Sequence, residues 1–483
     1  MPGVPLSRGC DACRRKKKKC DLAKPACSRC VRVGAHCTGS DTKRYKFLHG
    51  LKQATPRDPG PRAVTSPDPL AMVPANATTY LTGSFIQRLE MQDVRYDLTN
   101  FGPFLKLLPL RIGRNRALDA SADALQTAFG RDFSRDGNNV PTMQALKKYG
   151  IALKALQEAL ASPTAHKHLA ELLCSIYMVM LVQGWIGAPE GNTTHEQGLQ
   201  CLAEMMVVEG PRDEFDIVVL SVISAPLIMS GLTDRTINLS PRYWEVMAGL
   251  AQPMMSGPEL ADINVKPHAS FPSLHFSSIS LLPRFMRRPE LYHDEIQTNY
   301  RLAMHDVPRI TERLASLGAA RGYMDSVLSR TRRDLQGALC LALSSAIGQN
   351  HILQAYYPDD QTLPTELADL VQQMVKVAEQ ACKFAPLGAG FITGGLSAAC
   401  ASTDDPVLQK HIRSMLDRFF WAFHGDEWNK MPDWWYYRFM WIRCRLGNPK
   451  PGDDPIKAAE MTSMRLRCVQ CSASHNNIEL VLR

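Results

Sequence analysis

Across residues 141–162 of this 483-residue chain, Leu146, Tyr149, Leu153, Leu156 and Leu160 recur at spacings of three and four behind Pro141. That pattern predicts an amphipathic helix with proline in its first turn. After the Ser162–Pro163 break, "AHKHLAELLCSIYMVMLVQGW" continues as a more fully buried helix. Further helices are expected over 195–209, 213–231, 293–318, 325–350, 364–384, 406–423 and 433–446, and strand-like alternation is nearly absent. Residues 85–446 therefore read as one large all-α domain. The tail 447–483, behind "NPKPGDDP", lacks firm periodicity and reads as partly disordered. The run Ile217–Thr233 carries no charge but holds Ser221, Ser224, Pro226 and Ser230. A membrane span needs about 20 predominantly apolar residues, so this run is expected to be a buried helix kinked near Pro226, with no membrane partner.

The first part of the chain has the opposite pattern. Residues 1–40 hold few large apolar side chains, namely Val4, Leu6, Leu22, Val31 and Val33. Residues 51–84 are expected to be a disordered linker, because Pro56, Pro59, Pro61, Pro67, Pro69 and Pro74 stand there among Ser, Thr, Asp and Ala. "FIQRLEMQDVRY" offers only Ile86, Leu89 and Tyr96. Sustained heptads are needed for a coiled coil, so none is predicted.

Charge follows the same division. The formal net charge is +9, yet residues 1–50 carry 13 Lys or Arg against three Asp, a balance of +10. The other residues hold 43 cations against 44 anions, so the whole basic excess lies in the first tenth of the chain. A basic head on a near-neutral body suggests a module that binds a polyanion. The start, "MPGVPLSRGC", has no apolar run and does not resemble a secretory signal. An intracellular chain is expected, in which thiols stay reduced.

The head needs something other than an apolar core, and its cysteines offer it. Six of the 14 cysteines are Cys10, Cys13, Cys20, Cys27, Cys30 and Cys37, spaced C-x2-C-x6-C, six residues, then C-x2-C-x6-C. The second half repeats the first at an offset of 17, which implies two similar half-sites. Structural zinc is tetrahedral. Six thiolates fill the eight ligand positions of two zinc ions only if two of them bridge, and the repeat pairs Cys10 with Cys27, Cys13 with Cys30, or Cys20 with Cys37. Spacing does not choose among these. Two Zn²⁺ and six thiolates sum to −2, and the cations of "CRRKKKKC" would stabilise the thiolates on one side while facing nucleic acid on the other. Metal binding would supply the folding energy of so small a unit.

"CDACRRKKKKCDLAKPACSRCVRVGAHC" resembles the binuclear zinc cluster (Zn2Cys6) of fungal transcription regulators, in the six cysteines and in Asp11, Arg14, Lys16, Lys17, Lys19, Asp21 and Pro25. The resemblance implies a small zinc-nucleated domain of two short helix–strand halves within residues 1–50, with Cys10 and Cys27 as the bridging pair. It implies that Lys17 is the main base-reading lysine, that the site is a CGG-like GC-rich sequence, and that the protein is a nuclear regulator of RNA polymerase II genes. A two-turn helix over 11–18 would enter the major groove, which is wide enough for one. The expected DNA contacts are Arg14, Arg15, Lys16, Lys17, Lys18 and Lys19, with Lys43 and Arg44 following the backbone. "YDLTNFGPFLKLLPL" and "KYGIALKALQEAL" more loosely resemble the helical regulatory region of one branch of that family. Double-stranded DNA, a homodimer formed through the helical body, and transcription machinery or a coregulator are the partners this implies.

Other signals carry less. No HExxH, GxxxxGK or GxSxG occurs, and "GAGFITGG", 388–395, follows a helical pattern rather than a strand, so it reads as a turn between helices. An enzyme is not expected. His166 and His168 read as a solvated helix start, Cys468 and Cys471 as a lone pair, and Cys174, Cys201, Cys340, Cys382, Cys400 and Cys444 as small buried apolar residues. The aromatic stretch "FFWAFHGDEWNKMPDWWYYRFMW", 419–441, reads as two helices burying rings, with 425–432 as their turn. The alternative function is a zinc-cluster coregulator that docks on other proteins without reading bases.

Overall fold

The computed structural model describes residues 9–10, 12–13, 16–37, 76–91, 93–129, 143–186, 195–254, 271–317, 326–420 and 430–463. The chain divides into two units, Met1–Val73 and Pro74–Arg483. Among the described residues the ordered elements are helices and turns, with no strand.

In the head the regular element is α1 (Ser28–Arg32). Its interior consists of sulfur: Cys10, Cys13, Cys27 and Cys30 are buried, and Cys20 and Cys37 pack against them. Val31 and Val33, two of the few apolar residues available, are exposed instead. The helix–strand halves implied by the resemblance are present only as helical turns, since residues 18–22 and 35–37 form no strand pairing.

The body is built from α2 (Ala77–Leu89), α3 (Arg116–Phe129), α4 (Met143–Leu160), α5 (Leu169–Ile186), α6 (His195–Glu209), α7 (Glu214–Thr233), α8 (Pro241–Met254), α9 (His293–Ser316), α10 (Ser326–Tyr356), α11 (Thr362–Ala381), α12 (Ile392–Cys400), α13 (Pro406–Phe420), α14 (Met431–Arg445) and α15 (Pro455–Ser463). One continuous apolar core runs through α2 to α14. Helices α5 and α7 are long and apolar enough to cross a membrane, but both are mostly buried among their neighbours, and α7 contains Pro226 as its sequence suggested.

Local chemistry fixes where these helices start. Asn76 Oδ1 accepts from the Thr79 amide at 2.7 Å to open α2. Asn115 Oδ1 accepts from the amides of Ala117 and Leu118 ahead of α3. At α7, Asp213 accepts from the Asp216 amide while Asp216 accepts from the Arg212 amide, a reciprocal cap that satisfies two otherwise unpaired donors. Arg111 ties the starts of α5 and α7 together through ion pairs to Glu171 and to Asp213, with its guanidinium over the Phe215 ring.

Two boundaries differ from the sequence expectation. Helix α2 begins at Ala77, inside the stretch read as linker, because Leu81 and Phe85 bury into the body and α2 packs on α3. The stretch expected as a partly disordered tail is ordered through Ser463: α15 packs on α14, and Asp453 accepts from Arg443 at 2.7 and 2.8 Å. Residues 464–483, with Cys468 and Cys471, lie outside the described residues.

The aromatic stretch serves the core where it is described. Phe419, Trp434, Trp435 and Phe439 are buried, and the buried Arg438 guanidinium lies 5.0 Å from the Trp434 ring and 5.2 Å from the Trp441 ring. Burial, then the nearby Arg235 and Arg287, push its pKa down to about 9. Residues 421–429 lie outside the description. Of the segment 388–395, read as a turn between helices, residues 388–391 form turns and 392–395 already belong to α12. Within α12, a Cβ on Gly395 would come 2.3 Å from Ser344 Oγ, so that glycine permits close packing against α10. Cys174, Cys340 and Cys400 are buried as expected, Cys382 and Cys444 are half-buried, and Cys201 is exposed, because it lies on the outer face of α6.

Candidate metal centre and nucleic-acid interface

The 17-residue repeat is also a repeat of backbone structure. In the first half the Lys16 amide donates to the Ala12 carbonyl at 3.3 Å and the Lys18 amide to the Cys13 carbonyl at 3.0 Å. In the second half the Val33 amide donates to Arg29 at 3.1 Å and the Ala35 amide to Cys30 at 2.9 Å, which are the same bonds displaced by 17 positions. Each helical turn thus ends in a six-to-one closure of the Schellman type, which requires a left-handed residue. Gly34 fills that position with φ 61°, and Lys17 fills its counterpart with φ 50°.

This corrects the expected helix over 11–18. The helical turn stops before Lys17, because the chain must reverse there to bring Cys20 back beside Cys10 and Cys13. The Asp21 carboxylate crosses between the halves and accepts from the Ser28 amide at 3.1 Å; hydrogen bonding to the Ser28 side chain, and then to its backbone, holds Asp21 below the usual carboxylate range. Neither feature was read from the sequence, although aligning Lys17 with Gly34 would have pointed to the first.

The sulfurs converge. Cys10 Sγ lies 3.7 Å from Cys27 Sγ and 3.7 Å from Cys30 Sγ, and Cys13 Sγ lies 3.7 Å from Cys27 Sγ. A disulfide would need about 2.0 Å. Four thiolates around zinc, each about 2.3 Å from it, stand about 3.8 Å apart, and the observed separations match that edge. Two quartets form, Cys10–Cys13–Cys20–Cys27 and Cys10–Cys27–Cys30–Cys37, in each of which the sulfurs lie within 4.8 Å of one another. They share Cys10 and Cys27. Of the three bridging pairs that spacing left open, this is the one the geometry supports.

Sulfurs this close resist ionising together. Burial, then hydrogen bonding to Cys10 and Cys27, pushes the Cys13 thiol up to about 12, and the hydrogen bond with Cys27 raises Cys30 further. The Cys10 amide acts the other way on Cys20 and lowers it. A divalent cation in each quartet supplies the positive charge that lets such thiols ionise, so the donor set fits two zinc ions.

Residues 8–46 match the fungal Zn(2)-Cys(6) binuclear cluster domain. No curated protein and no solved structure matches the chain. The cluster domain binds two zinc ions, and its presence supports a DNA-binding, zinc-dependent transcription factor. Proteins with this cluster are generally nuclear and generally not enzymes.

On the binuclear cluster Lys16, Lys17, Lys18 and Lys19 are all solvent-exposed. The half-site thus turns its sulfurs inward and its ammonium groups outward. Arg14 and Arg15, and Lys43 and Arg44 beyond the second half, lie outside the described residues. The second half also presents basic groups that the sequence reading left out: Arg32 is exposed and Arg29 half-buried, both in the last turn of α1.

Proposed function

We propose that this chain is a nuclear, sequence-specific regulator of RNA polymerase II genes whose binuclear cluster reads a CGG-like, GC-rich site. Cys10 and Cys27 would be shared by two zinc ions, with Cys13 and Cys20 completing the donor set of one and Cys30 and Cys37 that of the other. Lys17 donates to guanine O6 and N7, while Arg14, Arg15, Lys16, Lys18, Lys19, Lys43 and Arg44 serve mainly the phosphates. The helical body governs self-association and contacts with the transcription machinery or a coregulator.

One observation carries the base-reading role. Lys17 occupies a left-handed position that its repeat partner fills with glycine. For a residue with a Cβ that conformation costs about 1–2 kcal/mol. A strained side chain retained at an exposed point is a sign of use. Site selection from random duplexes by the full chain is expected to return a G-rich half-site. Lys17→Ala should then lose about 1–3 kcal/mol of discrimination at one guanine, read as the ratio of affinities for the selected and a substituted duplex at fixed salt. Equal weakening on every duplex would remove Lys17 from base reading.

A further inference from the structure

Within the body, α7, the short helix Leu282–Arg287, α10, α12 and α14 meet around an apolar cavity of about 60 Å³. The side chains facing it are small where two helices approach, with Gly337, Ser344 and Ser345 on α10 opposite Gly394 and Gly395 at α12. Elsewhere α10 fills its buried positions with Leu339, Leu343 and Ile347, so the gap is local to this face.

The polar atoms of the wall are already engaged. Ser344 Oγ donates to the Cys340 carbonyl at 2.6 Å, Ser345 Oγ accepts from Gln349 Nε2 at 2.7 Å, and Cys340 Sγ donates to the Phe391 carbonyl at 3.3 Å. A buried water needs two to four polar partners, so the space favours an apolar guest. Met229 and Met286 form adjustable walls, since thioether side chains repack readily. The Met286 methyl lies where a Cβ on Gly348 would come within 2.4 Å of it. Met229 and Leu341 are only half-buried, which marks the side on which the cavity approaches solvent.

We infer that this cavity is a binding site for a small neutral molecule that enters by a short unbranched alkyl end. Its volume is less than half of the roughly 150 Å³ that accepts benzene, so a thin chain fits where a ring does not. The inference is independent of the DNA-binding reading, and its test uses no DNA.

The zinc-loaded full chain is titrated with n-butanol, n-hexanol and n-octanol, with 1,6-hexanediol as the control that is polar at both ends. Binding is read from tryptophan fluorescence, Trp435 being part of the wall, and from the thermal transition. The n-alkanols are expected to give a saturable fluorescence change and to raise the transition, and the diol is not. Leu341→Phe, which fills the cavity, should weaken n-hexanol at least tenfold. Leu341→Ala, which enlarges it, should shift the preference toward n-octanol and admit benzene. If Leu341→Phe does not fold, the shift in Leu341→Ala still decides. A linear, unsaturable response in the native chain, or a saturable one that Leu341→Ala leaves unchanged, overturns the inference.

Discussion

The head and the body of this chain solve one problem with different materials. The body buries leucine, phenylalanine and alanine over a continuous core of helices. The head buries four cysteines and leaves Val31 and Val33 outside. Apolar burial is divided among many side chains, so the loss of one is a partial loss. A metal core concentrates folding energy in two ions, and structural zinc supplies about 10–16 kcal/mol in units of this kind. The head should therefore fail all at once, whereas the body should weaken by degrees.

The sharpest break in that comparison is expected at the shared sulfurs. Cys10→Ser takes a ligand from both quartets, so it should leave the head unfolded and without zinc. Cys20→Ser takes one from a single quartet and should retain about one zinc per chain. In calorimetry the transition of the body should stay where it is in both variants. Elemental analysis of the purified chains checks the count; equal zinc in the two variants would remove the bridging role from Cys10.

The counterpart in the body is Phe101, buried and edge-on to Trp185 with ring centroids 5.0 Å apart. Phe101→Ala should cost about 3–5 kcal/mol through lost burial and the cavity left behind. Zinc content and half-site affinity should be unchanged. Denaturant unfolding of the full chain, followed by tryptophan emission, measures the first, and a DNA titration the second.

The two regions also differ in how far their sequences could be read. Six cysteines at fixed spacing state the ligand set directly, because coordination chemistry admits few arrangements. What they left open, the bridging pair and the left-handed Lys17, depends on chain path. In the body, α4 was legible from leucines at helical spacing, and α5 and α7 from long apolar runs that are buried on most sides. Helix α3 was missed although it buries Leu118, Leu125 and Phe129 at helical spacing, because the rest of its buried surface is Ala117, Ser121, Ala122, Ala124 and Ala128, which have little hydropathy but let α3 pack against both α4 and α5. Helix α2 was hidden behind prolines, and α12 by the glycines that let it approach α10 closely.

Acid should separate the two cores more gently. His351 stacks on Phe439 with ring centroids 3.7 Å apart, and burial, then Arg443 and Lys450, push it from its ordinary 6.5 down to about 3. Below pH 6.5 the unfolded chain takes up the proton and the folded chain does not, so the body loses stability as pH falls from about 6.5 toward 3. Between pH 7 and pH 5 the loss is about 2 kcal/mol. His351→Gln should flatten that dependence in denaturant titrations at the two pH values. Zinc release from the head over the same range, which follows protonation of thiolates, should not change.

The smallest expected effect tests whether the head gives up stability for recognition. Lys17 and Gly34 occupy equivalent left-handed positions, so Lys17→Gly makes the two halves alike in backbone preference. Removing the Cβ relieves strain of about 1 kcal/mol. The greater freedom that glycine gives the unfolded chain offsets part of that gain. The head should therefore hold zinc as well as before or slightly better, as read by competition with a chelator, while its preference for the selected duplex falls as it does in Lys17→Ala. If Lys17→Gly weakened zinc retention instead, the lysine would be supporting the thiolates rather than reading a base. The comparison between halves would then have to rest on charge rather than on backbone geometry.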